Sequence, residues 1–216
     1  FLWTQLTGIF KNTAPTSFDH IDNCDGNQAL WLFANPKVGL FQDHDSIDWN
    51  DPAPTHAFNA RFEVGKSYHL TVGVIGGGGN MSPGASLELS RYNRDALSNL
   101  VRVAVTSITN STAIFSNKTH LLDFEVNVPT VKAVDAWAGK NIGIQFLSTV
   151  STNLQGGYWY LDNVRLIEGP VLQNPVWTNS QFQVTLRGER GATFEILSSP
   201  ALSLPRSNWV RLGTIT

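Results

Sequence analysis

Cysteine and charge are both scarce in this chain of 216 residues. Cys24 is its single cysteine, so no disulfide can form within the chain and no cysteine cluster can hold a metal. Charged residues make up 15% of the sequence, where about 25% is usual for soluble domains. The net charge is −2 and Lys and Arg form no block, which argues against nucleic acid as a partner.

Long apolar runs are also lacking. Nowhere do about 18 consecutive apolar residues occur, so no membrane span is predicted. The opening FLWTQLTGIF has no basic segment and does not look like a signal peptide. Few cysteines and few charges are typical of exported bacterial proteins, and we therefore expect a secreted or cell-surface location.

Helical periodicity is missing, and alternation of apolar and polar residues takes its place. Tyr68, Leu70, Val72 and Val74 fall on one face of SYHLTVGV, and NIGIQF alternates in the same way. Similar runs are ASLELS, VRVAVTSI, LLDFEVNV and 159–166. The segment RYNRDALSNL is predicted to be a loop, as is the glycine run Gly76–Gly79. The pattern predicts an all-β fold.

A domain boundary is predicted at 168–175, where GPVLQNP combines glycine with two prolines after a finished strand. Residues 1–168 form the first predicted domain. Residues 176–216 contain three further alternating runs and are predicted to be a short β module. So small a unit is not expected to be stable alone.

Several short motifs follow one another along residues 3–168 in an order that resembles a known group of domains. Trp3, TGIF, the turn Asp25-Gly26-Asn27, the strand QALWLF and a closing YLDNVRL follow one another. This order resembles the galactose-binding-like jelly rolls of bacterial extracellular carbohydrate-binding modules and of PEP-CTERM-type surface proteins. The resemblance implies a jelly-roll β-sandwich that binds glycans. Such domains begin with a strand that has no counterpart before Phe1, so the first strand is expected to be missing, or replaced by another segment or chain.

An oxygen-rich turn is the candidate metal site. Asp22, Asp25 and Asn27 supply the carboxylate and amide oxygens that calcium prefers. The resemblance implies Asp162 of YLDNVRL as the distant fourth ligand of a structural Ca²⁺. The alternative is that Asp25 belongs to an ordinary tight turn, and that Asp162 and Asn163 bind backbone groups at a strand bulge.

Aromatic residues near polar ones are the candidate glycan ligands, because sugar rings stack on aromatic planes while polar groups bind the hydroxyls. Alternation should turn Tyr158 and Tyr160 outward and Trp159 into the core. For Trp137, a position in the core and a role in ligand binding are equally consistent with the sequence. The predicted ligand-binding set is Trp49, Trp137, Tyr158, Tyr160 and Asp48. Trp31, Trp177 and Trp209 are predicted to be packing residues, and the acidic stretch 43–51 around Trp49 a solvated loop.

No catalytic motif appears in the sequence: it has no G-x-S-x-G, no H-E-x-x-H and no phosphate-binding glycine loop before a helix. The favoured function is therefore non-catalytic binding of a polysaccharide or other glycan. One alternative is a structural matrix or filament subunit that self-associates through an open sheet edge. A second alternative is a polysaccharide lyase or hydrolase on the same fold.

Overall fold

The computed structural model describes residues 6–44, 58–187, 193–201 and 203–216. The chain is all-β, as the alternation predicts, and divides into two compact units, 1–168 and 169–216. No helix in these described ranges is long and apolar enough to span a bilayer.

Nine strands build the first unit. They are β1 (Thr7–Lys11), β2 (Gln28–Phe33), β3 (Gly39–Gln42), β4 (Ser67–Gly78), β5 (Ser86–Arg94), β6 (Leu100–Thr109), β7 (Leu122–Val128), β8 (Gly143–Ser148) and β9 (Tyr158–Gly169). A five-stranded sheet has the order β1-β2-β9-β4-β7, and a four-stranded sheet has the order β3-β8-β5-β6. The unit is thus a jelly-roll β-sandwich, in which neighbours in a sheet are mostly distant in sequence.

The N-terminal segment supplies an edge strand. Strand β1 pairs antiparallel with β2, from Thr7 opposite Leu32 to Lys11 opposite Gln28. Part of FLWTQLTGIF therefore covers the edge of β2 within the same molecule.

The core lies between the inner faces of the two sheets. Leu70, Val72 and Val74 of β4 are fully buried there, as their alternation predicts, and they pack with Trp159 and Leu161 of β9. A second cluster around Phe62 and Tyr68 continues the core toward one end. A third cluster contains Ile21, Ala29, Ile75 and Leu121, and lies on the outer side of the five-stranded sheet.

Parts of two segments predicted to be loops lie in strands. RYNR completes β5, which pairs with β6 and has a bulge between Arg91 and Tyr92. Both side chains are fully buried, which a surface loop would not require. Gly76 and Gly78 belong to β4, and neighbouring rings lie so close to both that they leave no space for a side chain.

The second unit consists of two hairpins. Strand β10 (Val171–Thr178) pairs with β11 (Gln181–Arg187), and β12 (Phe194–Ser198) pairs with β13 (Val210–Ile215). Trp209 donates its indole N–H to the Leu204 carbonyl at 3.0 Å. Trp177, predicted to be a packing residue, is instead 71% exposed, because a two-stranded sheet has no second layer of its own to bury it.

Candidate functional site

Five aromatic side chains line a shallow trough of about 360 Å³ on the outer face of the five-stranded sheet. They come from three adjacent strands: Phe10 from β1, Trp31 and Phe33 from β2, and Tyr158 and Tyr160 from β9. We refer to these five side chains as the aromatic surface.

Strand register brings the rings of the aromatic surface together. Trp31 lies opposite Tyr160, and Phe33 lies opposite Tyr158. Side chains of a strand alternate between its two faces, so the residues between these rings, Leu32 and Trp159, point into the core and are fully buried. The orientation predicted for the two tyrosines is the one in the structure.

Each of the five rings contacts another. The ring centroids of Phe10 and Tyr160 are 4.8 Å apart, and those of Tyr158 and Tyr160 are 5.1 Å apart. Trp31 meets Phe33 edge-on at 5.1 Å. Tilted and edge-on pairs of this kind stabilise one another, so the surface is ordered before any ligand arrives.

Gly78, the last residue of β4, and Gly79 after it support the ring of Tyr158. A Cβ atom added at Gly78 would lie 2.3 Å from the Tyr158 ring, and one added at Gly79 would lie 2.7 Å from it. The ring therefore rests directly against the β4 backbone. A larger residue at Gly78 would displace Tyr158, which gives the glycine run a role in shaping the surface.

Loops outside the sandwich set the border of the aromatic surface. Ile21 and Leu121 pack with Ala29 and Ile75 on the outer face, and Phe10 and Tyr160 pack against this cluster. Burial, followed by the Tyr158 hydroxyl and the charge of Asp19, raises the pKa of Tyr160. Its hydroxyl therefore stays protonated at neutral pH and can donate a hydrogen bond.

The predicted ligand-binding residues do not all meet. Tyr158 and Tyr160 lie together, but Trp137 packs against the second core cluster, and its buried indole N–H has no partner in the described part of the chain. Trp49 and Asp48 lie outside the described residues.

Trp31, which the sequence analysis predicts to be a packing residue, lies on the aromatic surface, and Phe10 and Phe33 were given no role there. The signal for Trp31 and Phe33 was the alternation in QALWLF, where Leu30 and Leu32 face the core and the two aromatic residues face outward.

The turn predicted to bind metal does reach Asp162. The Oδ2 atom of Asp162 accepts hydrogen bonds from the Asp25 backbone N–H at 2.8 Å and from the Cys24 thiol at 3.0 Å. Asp22 instead lies 3.4 Å from the His120 ring, and Asn27 is exposed. Across the described residues, no three His, Cys, Asp or Glu side chains converge in a way that could hold a metal ion.

Asn163 adds an oxygen to this turn. Its φ of 53° lies in the left-handed region, and its Nδ2 donates to the Asn23 carbonyl at 2.9 Å. The Oδ1 atom is buried and accepts no hydrogen bond from any residue that the structure describes. A buried oxygen that accepts no hydrogen bond is one that a cation could bind, so the residues present fit calcium in part, with the side-chain oxygens of Asp162 and Asn163 as ligands.

No protein-family model matches the chain, and no curated protein matches its sequence. Among solved structures, a Stig cyclase from Fischerella sp. TAU in complex with an indole ligand is 19% identical, with a TM-score of 0.51, over 78% of this chain and 79% of that one. An apo cyclase from Fischerella sp. is 18% identical, also at 0.51, over 78% and 77% of the two chains.

The solved neighbours also include carbohydrate-binding modules. The CBM22-1 xylan-binding domain from Paenibacillus barcinonensis Xyn10C is 14% identical, with a TM-score of 0.37, over 74% of this chain and 80% of that one. At such identities the cyclase matches show the β-sandwich fold and nothing finer, and the module matches are too distant to support an argument about function.

The thiol of Cys24 should react slowly. Burial, followed by the hydrogen bond to Asp162 and the charges of Asp162 and Asp25, raises its pKa to about 12. Since the thiolate is the reactive form, a disulfide reagent at pH 8 should label the folded chain at least about a hundredfold more slowly than the unfolded chain. Asp162→Asn removes one negative charge and should speed labelling of the folded chain, whereas Glu195→Gln should not. Equal rates for folded and unfolded chains would contradict this account.

Proposed function

We propose that this chain binds a neutral polysaccharide through the aromatic surface and does not transform it. The observation that supports the proposal is the convergence of five aromatic side chains from three adjacent strands on one open trough. Aromatic planes stack against the C–H faces of sugar rings, and an ordered set of such planes loses little entropy when it binds.

The dimensions of the surface favour a chain of sugars over a single one. Adjacent strands lie about 4.8 Å apart, so three strands span roughly 10 Å, and the step from Trp31 to Phe33 adds about 7 Å along β2. The trough is shallow and open, so a polymer can lie across it. Its lining is entirely aromatic, with tyrosine hydroxyls as polar groups, which favours uncharged sugars.

We expect a chain with this function to act outside the cell. The single cysteine and the low charge support a secreted or cell-surface location. This location is part of the proposal.

A structural subunit is the second candidate, and the hairpins of 169–216 favour it. In the part of 169–216 that the structure describes, each of the two sheets has two strands, so every one of these strands lies at a sheet edge. Leu172, Trp177 and Leu212 are among their largely exposed apolar residues. Open edges and apolar surface together promote strand addition between chains.

We also propose that calcium binds at the turn beside β9. The support comes from Asp162, which already holds the turn, and from the Asn163 oxygen that has no donor among the described residues. Asp25 would complete the protein ligands, with water filling the remaining positions of a six- to eight-coordinate shell. Asp22 is a less favourable ligand than the sequence predicts, since its carboxylate lies beside the His120 ring.

Removing one ring of the aromatic surface should weaken glycan binding. Trp31→Ala deletes the largest ring, and we expect the affinity for a bound neutral polysaccharide to fall at least about tenfold, because stacked aromatic residues dominate such interfaces. A polysaccharide panel in affinity electrophoresis identifies the ligand, and calorimetry measures the loss. Trp177→Ala is the matched control, because it removes an exposed tryptophan outside the aromatic surface. An unchanged affinity in Trp31→Ala would rule out this surface as the site.

Self-association, if the second candidate holds, should depend on the hairpins. Light scattering after size exclusion should show a mass that rises with protein concentration. Leu172→Lys with Leu212→Lys should lower that mass by placing charge on the apolar faces. The control Val134→Lys alters an exposed residue of the first unit and should leave the mass unchanged. A monomer at every concentration would exclude assembly by this route.

Calcium should raise the melting temperature. A ligand that binds only the folded state stabilises it in proportion to the logarithm of its free concentration, once that concentration exceeds Kd. Melting curves in EDTA and in millimolar calcium should therefore separate, and magnesium should act more weakly because it demands a tighter octahedral shell. Asp162→Asn should abolish the difference. Coinciding curves for the unmodified chain would remove the site.

A further inference from the structure

A second pocket, of about 290 Å³, lies at one end of the four-stranded sheet. Asp43 follows β3 there, Tyr92 and Arg94 end β5, and Gly143 begins β8. The pocket shares no residue with the aromatic surface, which belongs to the other sheet. We refer to it as the cationic pocket, for the charges described below.

Arg94 is held in place on one wall of the cationic pocket. Its Nε donates to Asp43 Oδ2 at 2.8 Å, and its Nη1 donates to the Ser98 carbonyl at 2.9 Å. The guanidinium also lies over the rings of Phe41 and Tyr92, at 5.6 and 5.9 Å. These contacts fix the direction of the positive charge before any ligand binds.

The carboxylate that holds Arg94 is itself anchored. Asp43 is only 4% exposed, and its Oδ2 also accepts a hydrogen bond from the Tyr92 hydroxyl. Tyr92 can reach it because Gly143 leaves space for the ring: a Cβ at Gly143 would lie 2.3 Å from the ring. The negative charge of Asp43 is therefore engaged within the protein wall.

Among the described residues that line the pocket, two further side chains carry a permanent charge, and both are positive. Arg61 and Lys140 line it on neighbouring segments, joined by the Arg61–Asn141 bridge and by the hydrogen bond from Phe62 N–H to the Lys140 carbonyl. Together with Arg94 they give the pocket three positive side chains, whereas the carboxylate of Asp43 is already bound by Tyr92 and Arg94. The whole chain, by contrast, has a net charge of −2. Such a local excess of positive charge in a concave site attracts anions.

We infer that the cationic pocket binds an acidic sugar, with the sugar carboxylate paired to Arg61 and Lys140. An arginine fork matches the two oxygens of a carboxylate, and a lysine adds a second positive charge. One water occupies about 30 Å³ of liquid, so the pocket has far more room than a small inorganic ion needs. Asn141, which also lines the pocket, supplies an amide group for the hydroxyls of the sugar ring.

The test compares ligands that differ in charge and in size. Glucuronate, glucose and inorganic phosphate are titrated into the full chain, and amide NMR shifts of Asn141 and Gly143 report occupancy. We expect glucuronate to bind at least about tenfold more tightly than glucose or phosphate, and its affinity to fall several-fold between low and 0.5 M salt, since salt screens the charges. Equal binding of glucuronate and glucose overturns the inference, and phosphate binding as tight as glucuronate overturns the assignment to a sugar.

Charge-removing variants locate the site. Arg61→Gln and Lys140→Gln change exposed side chains, so we expect them to fold with an unchanged melting temperature and to bind glucuronate at least about fivefold more weakly. Lys132→Gln removes an exposed charge outside the pocket and should bind like the unmodified chain. Full affinity in both pocket variants would overturn the inference. Trp31→Ala should leave glucuronate binding intact, so failure of the aromatic surface and failure of this pocket are separate results.

Discussion

The two-residue repeat of strand β9 is the constraint on which the rest of the first unit depends. Its inward positions place Trp159 and Leu161 in the centre of the core, fully buried. Its outward positions place Tyr158 and Tyr160 on the aromatic surface. The same strand then reaches the turn through Asp162. A shift of β9 by one residue would exchange the core and surface sets and disconnect the turn, so the strand fixes all three features at once.

The all-β class and the two faces of β9 could be predicted from the sequence, because alternation encodes which side chains share a face, whereas the sandwich and the contact of Asp162 with the turn came from the resemblance. The features that the sequence analysis did not predict depend on contacts between residues distant in sequence. In QALWLF both faces are apolar, so composition could not separate the core residue Leu32 from the surface residue Trp31. The glycine run looked like a loop, since the ring that rests on it, Tyr158, follows some 80 residues later. The cationic pocket likewise draws on four separate segments.

Both proposed sites use the same structural device, an aromatic ring laid on a backbone without a side chain. Tyr158 rests on Gly78 and Gly79 beside the aromatic surface, and Tyr92 rests on Gly143 beside the cationic pocket. Glycine offers a strand no side chain to pack, and a ring that covers the glycine backbone fills the space. The ring also becomes fixed in orientation, which is useful for stacking at the first site and for holding Asp43 at the second.

The loops that carry Ile21 and Leu121 lie outside the inner core, yet they cover part of the outer sheet face and so decide how much of it stays bare. Lengthening or shortening them would leave the packing between the two sheets untouched. The area open to a ligand can therefore change during evolution independently of the stability of the sandwich. A scaffold of this kind can acquire a longer or shorter binding track through insertions in its connections alone.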